Sequence, residues 1–433
     1  MFICSNCQKE YNKWQGQCDS CGQWNTIIEI EGRSGDKRIT KKDKLNSSTA
    51  KPVRLYELEK ETKLSQIKTN INEFDNALGG RMVQGQVILF SGEPGIGKST
   101  LTLQIIETLS QQGLRVVYIS GEESPHQIKE RADRLKLKLT NVLFLPEVNV
   151  TNLERYISSH SKEIDFIVVD SIQTLINPEI ASSSGSVSQV AEATNRITSL
   201  AKGLNITTLI IGHVTKSGDI AGPKIVEHMV DTVIYFEGEK RYEFRVLRIE
   251  KNRFGPSDEV GIFRMSNEGL VEVRDTKELL NQSKNEEPGS VFSLVMEGSR
   301  PVAIEVQALA TKTYFPNPRR TTSGFDLNRL YILLAIIDKK LKIPTWDFDV
   351  YVNITGGIKI TDPGLDLAVI AAVISSIKDK PISGNKVYFG EVGLTGEIRK
   401  VYFEDKRIKE AKRIGFDGIV SNKQFKNVKD ISY

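Results

Sequence analysis

The run Gly92-Glu93-Pro94-Gly95-Ile96-Gly97-Lys98-Ser99 has the spacing G-x4-G-K-[ST]. Its glycines let backbone N–H groups converge on phosphate oxygens at the positive end of a following helix. Lys98 would reach the β- and γ-phosphates, and the Ser99 hydroxyl would ligate Mg2+. The motif has force only between a strand and a helix, because that context aims its amides. An apolar strand is expected here at 87–91 and a helical run at 100–111. Gly92, Glu93, Pro94, Gly95, Ile96, Gly97, Lys98, Ser99 and Thr100 are therefore the expected nucleotide-binding residues, with ATP as the nucleoside triphosphate.

Hydrolysis asks for two more parts. One is a carboxylate for the Mg2+ shell, and Asp165-Phe166-Ile167-Val168-Val169-Asp170 is an apolar strand that ends in one. Asp170 is expected to hold the metal through water. The other part is a group that orients the attacking water. The strand at 116–120 runs into Gly121-Glu122-Glu123-Ser124, and ligands of parallel sheets sit outside the C-terminal strand ends. Glu122 is the expected base and Glu123 the substitute, unless both merely cap the next helix. A strand at 207–212 ends in His213-Val214-Thr215-Lys216. His213 could sense the γ-phosphate there, although a lone histidine is more often structural. Lys216, just ahead of the glycine-containing loop at 217–224, is a candidate DNA contact.

All four cysteines fall within the first 21 residues, as Cys4-x2-Cys7-x10-Cys18-x2-Cys21. Each CxxC turn points two thiolates at one place, and two such turns close a tetrahedral sulfur shell suited to Zn2+. A closed shell makes the metal structural. A redox CxxC is the alternative, and the second pair argues against it. Clustered cysteines also speak for a reducing compartment rather than a secreted disulfide framework. Trp14 and Trp24 flank the ligands and are expected to cover the site rather than stack on a partner.

These residues need a frame, and the rest of the chain supplies one. At 433 residues, with 39% hydrophobic and 26% charged, it is too long for one core and has the composition of a globular protein. No apolar run approaches the roughly 20 residues that cross a bilayer. The start, MFICSNCQKE, has no apolar targeting segment, so a cytoplasmic location without membrane partners is expected. Net charge is only +4, but residues 32–56 carry eight basic side chains against Asp36 and Asp43. That stretch reads as a solvated linker, or as an arm that brushes phosphates. Strands alternating with helices from 52 onward imply a mostly parallel sheet covered on both faces. The polar segment at 277–289 marks a boundary before a second α/β unit. The expected divisions are 1–31, 32–51, 52–276, 277–289 and 290–433.

One pentapeptide, Lys251-Asn252-Arg253-Phe254-Gly255, would read by itself as a solvated turn. With the four-cysteine start and the phosphate loop, it resembles the bacterial RadA (Sms) family of DNA repair and recombination proteins, relatives of RecA. The resemblance runs over essentially the whole chain. It implies an α/β fold in three parts: an N-terminal four-cysteine zinc finger, a RecA-like P-loop ATPase core with a mostly parallel sheet, and a C-terminal α/β domain like that of Lon protease. It implies a homohexameric ring that holds DNA in its channel. In this reading ATP hydrolysis drives helicase-like movement on single-stranded DNA and branch migration of recombination intermediates. Branched DNA and the RecA recombinase are implied partners. The resemblance puts Glu122 on the water-activating glutamate. It puts Lys251 and Arg253 on a segment that works with ATP and DNA across the subunit interface, where a cation supplied in trans stabilises the transferring phosphoryl group.

The Lon-like part raises a peptidase as a rival. Lon-type proteases use a serine activated by a lysine. The matching stretch here is Asp362-Pro363-Gly364-Leu365-Asp366, with Gly364 at the serine position. Counting from Thr395-Gly396-Glu397 puts Asp405 at the lysine position, and neighbouring Lys406 lacks a nucleophile to activate. Peptidase activity is not expected. Arg319 and Arg320 are candidate phosphate contacts, which position DNA without reading its sequence. A regulatory ATPase that binds protein partners without motor action remains the other reading.

Overall fold

The computed structural model describes residues 66–213, 225–238, 243–275, 278, 280 and 287–433 without 357–358 and 383–384. Of the first 29 residues it describes all but 1, 5, 6, 8, 12, 14 and 25. The basic stretch at 32–51, Trp14, Lys216 and the Cys4 side chain lie outside the described residues. The chain divides into two compact units, 1–62 and 63–433.

In the first unit, Phe2–Cys4 pairs antiparallel with Glu10–Tyr11 on one side and Ile27–Glu29 on the other. The sulfurs of Cys7, Cys18 and Cys21 all lie within 4.8 Å of one another. Cys18 is fully buried. Its thiol is held down, to about 6, chiefly by the Tyr11 hydroxyl at 3.0 Å. Trp24 keeps 68% of its surface exposed, so it does not cover the sulfurs as the sequence suggested.

The second unit holds a nine-stranded sheet. Its order is Gly269–Glu272, Val260–Ser266, Phe244–Asn252, Thr232–Glu237, Val87–Gly92, Thr207–His213, Phe166–Asp170, Val116–Ser120 and Val142–Leu145. The strands from Thr232–Glu237 to Val142–Leu145 run parallel, and the last three of the chain's order fold back antiparallel. Val87–Gly92, Phe166–Asp170 and Val116–Ser120 are buried along their whole length, as strands covered on both faces must be. Alternation sorts their side chains. Ile88, Phe90 and Tyr118 pack with Leu101 and Ile105 of the helix Lys98–Gln111. Val87, Leu89 and Val117 face Leu153 and Ile197 of the helices Val150–Ser159 and Val187–Leu204.

A six-stranded mixed sheet follows, in the order Arg320–Ser323, Phe348–Ile354, Arg300–Lys312, Ser290–Glu297, Lys386–Tyr388 and Gly418–Val420. The helix Asp366–Lys378 packs on it with every side chain from Asp366 to Ile374 buried. Val246, Val260 and Ile262 of the large sheet share a core with Val291, Val302 and Val306 of this one. Ion pairs cross the seam, among them Arg248–Glu297 at 2.7 Å, Arg300–Glu73 at 2.6 Å and Arg413–Asp275 at 2.9 Å. Gly298 is required there, since its φ is +60° and a Cβ would overlap Asp258 O.

Candidate active site

The phosphate loop leaves the central strand Val87–Gly92 and enters the helix Lys98–Gln111. Gly97 stands at the helix N-cap with φ 117° and no side-chain cap bond, which leaves the first-turn N–H groups for an anion. A Cβ on Gly92 would lie 2.4 Å from Phe236 O, and one on Gly97 would lie 2.9 Å from Met265 Cε. The Lys98 ammonium donates to Gly92 O at 2.7 Å and Glu93 O at 3.0 Å. Burial pulls its pKa down to about 8, against the nearby charges of Asp170, Glu122 and Glu93.

Three sequence-predicted residues converge on this loop. Ser99 Oγ donates to Asp170 Oδ2 at 3.0 Å. Tyr118 donates its hydroxyl to the same oxygen at 2.5 Å. Burial pushes the Asp170 carboxyl up, and these two hydrogen bonds oppose the shift. Ser171, joined to Asp170 by a cis peptide, donates to Glu122 Oε1 at 2.5 Å. His213 Nε2 stands 3.5 Å from that oxygen. The His213 contact, with help from Ser171 and against partial burial, holds Glu122 below its ordinary value. Glu122 is therefore a carboxylate at neutral pH, just past the end of its strand and beside Ser171 and His213.

Glu123 is spent elsewhere, in a two-pronged ion pair with Arg131 at 2.6 and 2.7 Å. Neither glutamate caps the following helix. Ser124 does so, in a capping box with Gln127. Sequence reasoning missed Tyr118, Ser171 and Arg245. Buried Arg245 donates from Nε to Ile96 O at 3.3 Å and so braces the loop. A tyrosine among aliphatic strand residues and a serine after Asp170 were readable signals; nothing local marked Arg245.

Lys251 and Arg253 lie toward the end of the strands opposite the phosphate loop. Val233 pairs with Lys251, Thr232 pairs with Asn252 and Ile88, and Phe236 pairs with Gly92. They are thus about four strand residues, roughly 13 Å, from the phosphate loop of their own chain. Lys251 Nζ donates to the carbonyls of Glu227 at 2.7 Å and Val230 at 2.8 Å. Arg253 Nη1 is 3.3 Å from Asp231 Oδ1, which also accepts from Lys202 at 2.9 Å.

In the C-terminal part, Arg319 is exposed and its guanidinium lies 4.0 Å from the Phe315 ring centroid. Arg320 turns inward to the carbonyls of Arg319 at 2.9 Å, Thr345 at 2.9 Å and Phe348. The residue that faces Gly364 is Arg407, not Asp405. A Cβ on Gly364 would sit 2.8 Å from Arg407 Nη1. Fully buried Arg407 pairs with Asp362 at 2.6 Å and donates to Leu294 O at 2.5 Å. Asp405 instead pairs with Lys423 at the surface, at 2.7 Å. Helix turns, which counting along the chain ignores, decide which residue points inward.

A phosphate loop, a strand-end aspartate and a strand-end glutamate on a sheet of this topology define a RecA-type ATPase domain. Residues 67–144 match the family model described as ATPase: KaiC, and residues 2–29 match one described as Rubredoxin metal binding domain. A protein of Aquifex aeolicus named DNA repair protein RadA is 47% identical over 416 residues, covering 96% of this chain and 91% of that protein. Proteins of the same name from Campylobacter jejuni and Bacillus subtilis are 42% and 43% identical, covering 99% and 97% of this chain and 95% and 91% of theirs. The chain belongs to the family of DNA repair protein RadA. Among the described residues no helix is long and apolar enough to cross a membrane.

Proposed function

We propose that this protein is a cytoplasmic DNA-dependent ATPase that spends ATP on recombination intermediates, moving along single-stranded DNA to extend or unwind branched structures. The observation that carries the reading is the convergence of Lys98, the Ser99–Asp170 pair and Glu122 on one loop. The loop amides and Lys98 bind the triphosphate. Glu122, kept ionised by His213 and Ser171, orients the attacking water and accepts its proton. Ser99 and Asp170 present hard oxygen donors that fit Mg2+, which when bound neutralises charge on the β- and γ-phosphates.

Lys251 and Arg253 are too far from their own loop to meet its nucleotide. In a homohexameric ring they would face the nucleotide of the neighbouring subunit, as catalytic cations and as DNA contacts. Arg319, exposed and stacked on Phe315, is the better phosphate contact of its pair, while Arg320 holds the surface that carries it. Lys216 completes the proposed DNA set. The four cysteines fit Zn2+: three sulfurs already sit within bonding reach of one ion, and an all-thiolate set suits that metal. The divisions we propose are a zinc finger at 1–31, a linker at 32–51, an ATPase domain at 52–276 and, after 277–289, a Lon-like domain at 290–433. That last domain serves as scaffold, because Arg407 fills the space a nucleophile would need.

The test is the ATPase rate of the purified full chain with and without single-stranded DNA. Stimulation is expected. An unchanged rate rejects the motor and leaves a regulatory ATPase. DNA binding should weaken steeply with salt.

A further inference from the structure

Tyr118 sits in the middle of Val116–Ser120 and is fully buried. Its neighbours Val116, Val117 and Ile119 are aliphatic and equally buried. A hydroxyl there is costly unless it is bonded, because hydration is lost. Phenylalanine would fill the same space and keep the stack on Phe144, whose ring centroid is 6.2 Å away. The oxygen therefore needs a separate reason, and the sheet register supplies it. Tyr118 pairs with Val168 and Ser120 pairs with Asp170 in adjacent parallel strands. Tyr118 and Asp170 are thus diagonal neighbours on one face. That face is the one covered by the helix Lys98–Gln111, which brings Ser99 to the same place.

Two hydroxyls consequently meet one carboxylate oxygen, Asp170 Oδ2, at 2.5 Å from Tyr118 and 3.0 Å from Ser99. They differ in what they can do next. Ser99 lies in the first turn of the loop helix and, on the function proposed above, would offer its oxygen to the metal. Tyr118 is locked by packing on all sides and has no such freedom. We propose that Tyr118 is a positioning residue for the divalent cation: its fixed hydroxyl holds Asp170 by Oδ2, and would keep that carboxylate in place for the ion whether or not Ser99 also ligates it. Outer partners of this kind fix ligand orientation and set metal affinity. This inference rests on the assignment of Ser99 and Asp170 to Mg2+.

The experiment uses the full chain, a fluorescent ATP analogue and a Mg2+ titration, with Tyr118→Phe beside the wild type. The analogue's affinity in EDTA should be the same for both, since neither the loop nor Lys98 is touched. The Mg2+ concentration for half of the metal-dependent gain should rise about tenfold in Tyr118→Phe. Equal midpoints overturn the role of Tyr118. A general loss of fold would instead weaken binding in EDTA as well, and Tyr118→Met, a smaller and adaptable apolar side chain without the hydroxyl, then takes its place in the same titration. Wild-type binding that ignores Mg2+ altogether overturns the metal assignment beneath the proposal, a result distinct from equal midpoints. Mn2+ binding followed by paramagnetic resonance should show the same tenfold difference without any turnover.

Discussion

Ser99 Oγ reaches Asp170 Oδ2 across 3.0 Å, although 71 positions separate the two residues in the chain. The contact ties the first turn of the loop helix to the end of a strand two places away in the sheet. It turns a phosphate-binding loop into a site that can also hold a metal.

Lys98→Ala should lower ATP hydrolysis to below about one hundredth of the wild-type rate, because the removed cation faces the charge that develops on the phosphates. Normal turnover would sink the loop assignment. The unmodified protein offers a companion test. Burial lowers the Lys98 pKa to about 8. The ammonium is thus intact below that pH and lost above it, and ATP favours the charged form. Affinity should be flat from pH 6.5 to 7.5 and fall by up to about tenfold per unit above 8, measured with a fluorescent nucleotide.

Glu122→Gln keeps the shape and removes the base. ATP should bind with nearly unchanged affinity while hydrolysis slows by about a hundredfold or more. Single-turnover assays beside equilibrium binding separate the two. Loss of binding instead would assign Glu122 a structural role. The corresponding Glu123→Gln change should act through stability, since Glu123 is paired with Arg131 at 2.6 Å.

Arg253 follows the strand end that lies opposite its own phosphate loop. Lys98→Ala and Arg253→Ala should each be inactive alone. Mixed in equal amounts in a ring, they should regain activity at about a quarter of the interfaces, where an intact loop meets an intact arginine. No recovery on mixing, with ring assembly checked by light scattering, would place the arginine's work within one subunit.

The two neighbouring arginines of the C-terminal part should separate cleanly. Arg319→Ala should weaken single-stranded DNA binding and flatten its salt dependence by about one phosphate contact, with the melting temperature unchanged. Arg320→Ala removes hydrogen bonds to three carbonyls and should lower stability by about 1–3 kcal/mol in a denaturant titration. Equal effects on binding and stability from both would reject the division.

By itself the sequence determined the parts whose information is local. The glycine spacing of the loop, the apolar runs that became Val87–Gly92, Val116–Ser120 and Phe166–Asp170, and the carboxylates at their ends could be read because each depends on near neighbours. Cysteine spacing was legible for the same reason. The antiparallel strands Phe244–Asn252 and Val260–Ser266 were not foreseen, since buried and half-buried residues mix along them without a clean period.

Tertiary structure decided what depends on strand order and on which side of an element a residue faces. Only the sheet register brought Tyr118 to Asp170 and put Lys251 at the end of its strand away from the phosphate loop. Only the turn of the helix Glu404–Ile414 put Arg407, rather than Asp405, against Gly364. Such choices rest on contacts between residues tens to hundreds of positions apart, and a linear pattern carries no record of which of them will meet.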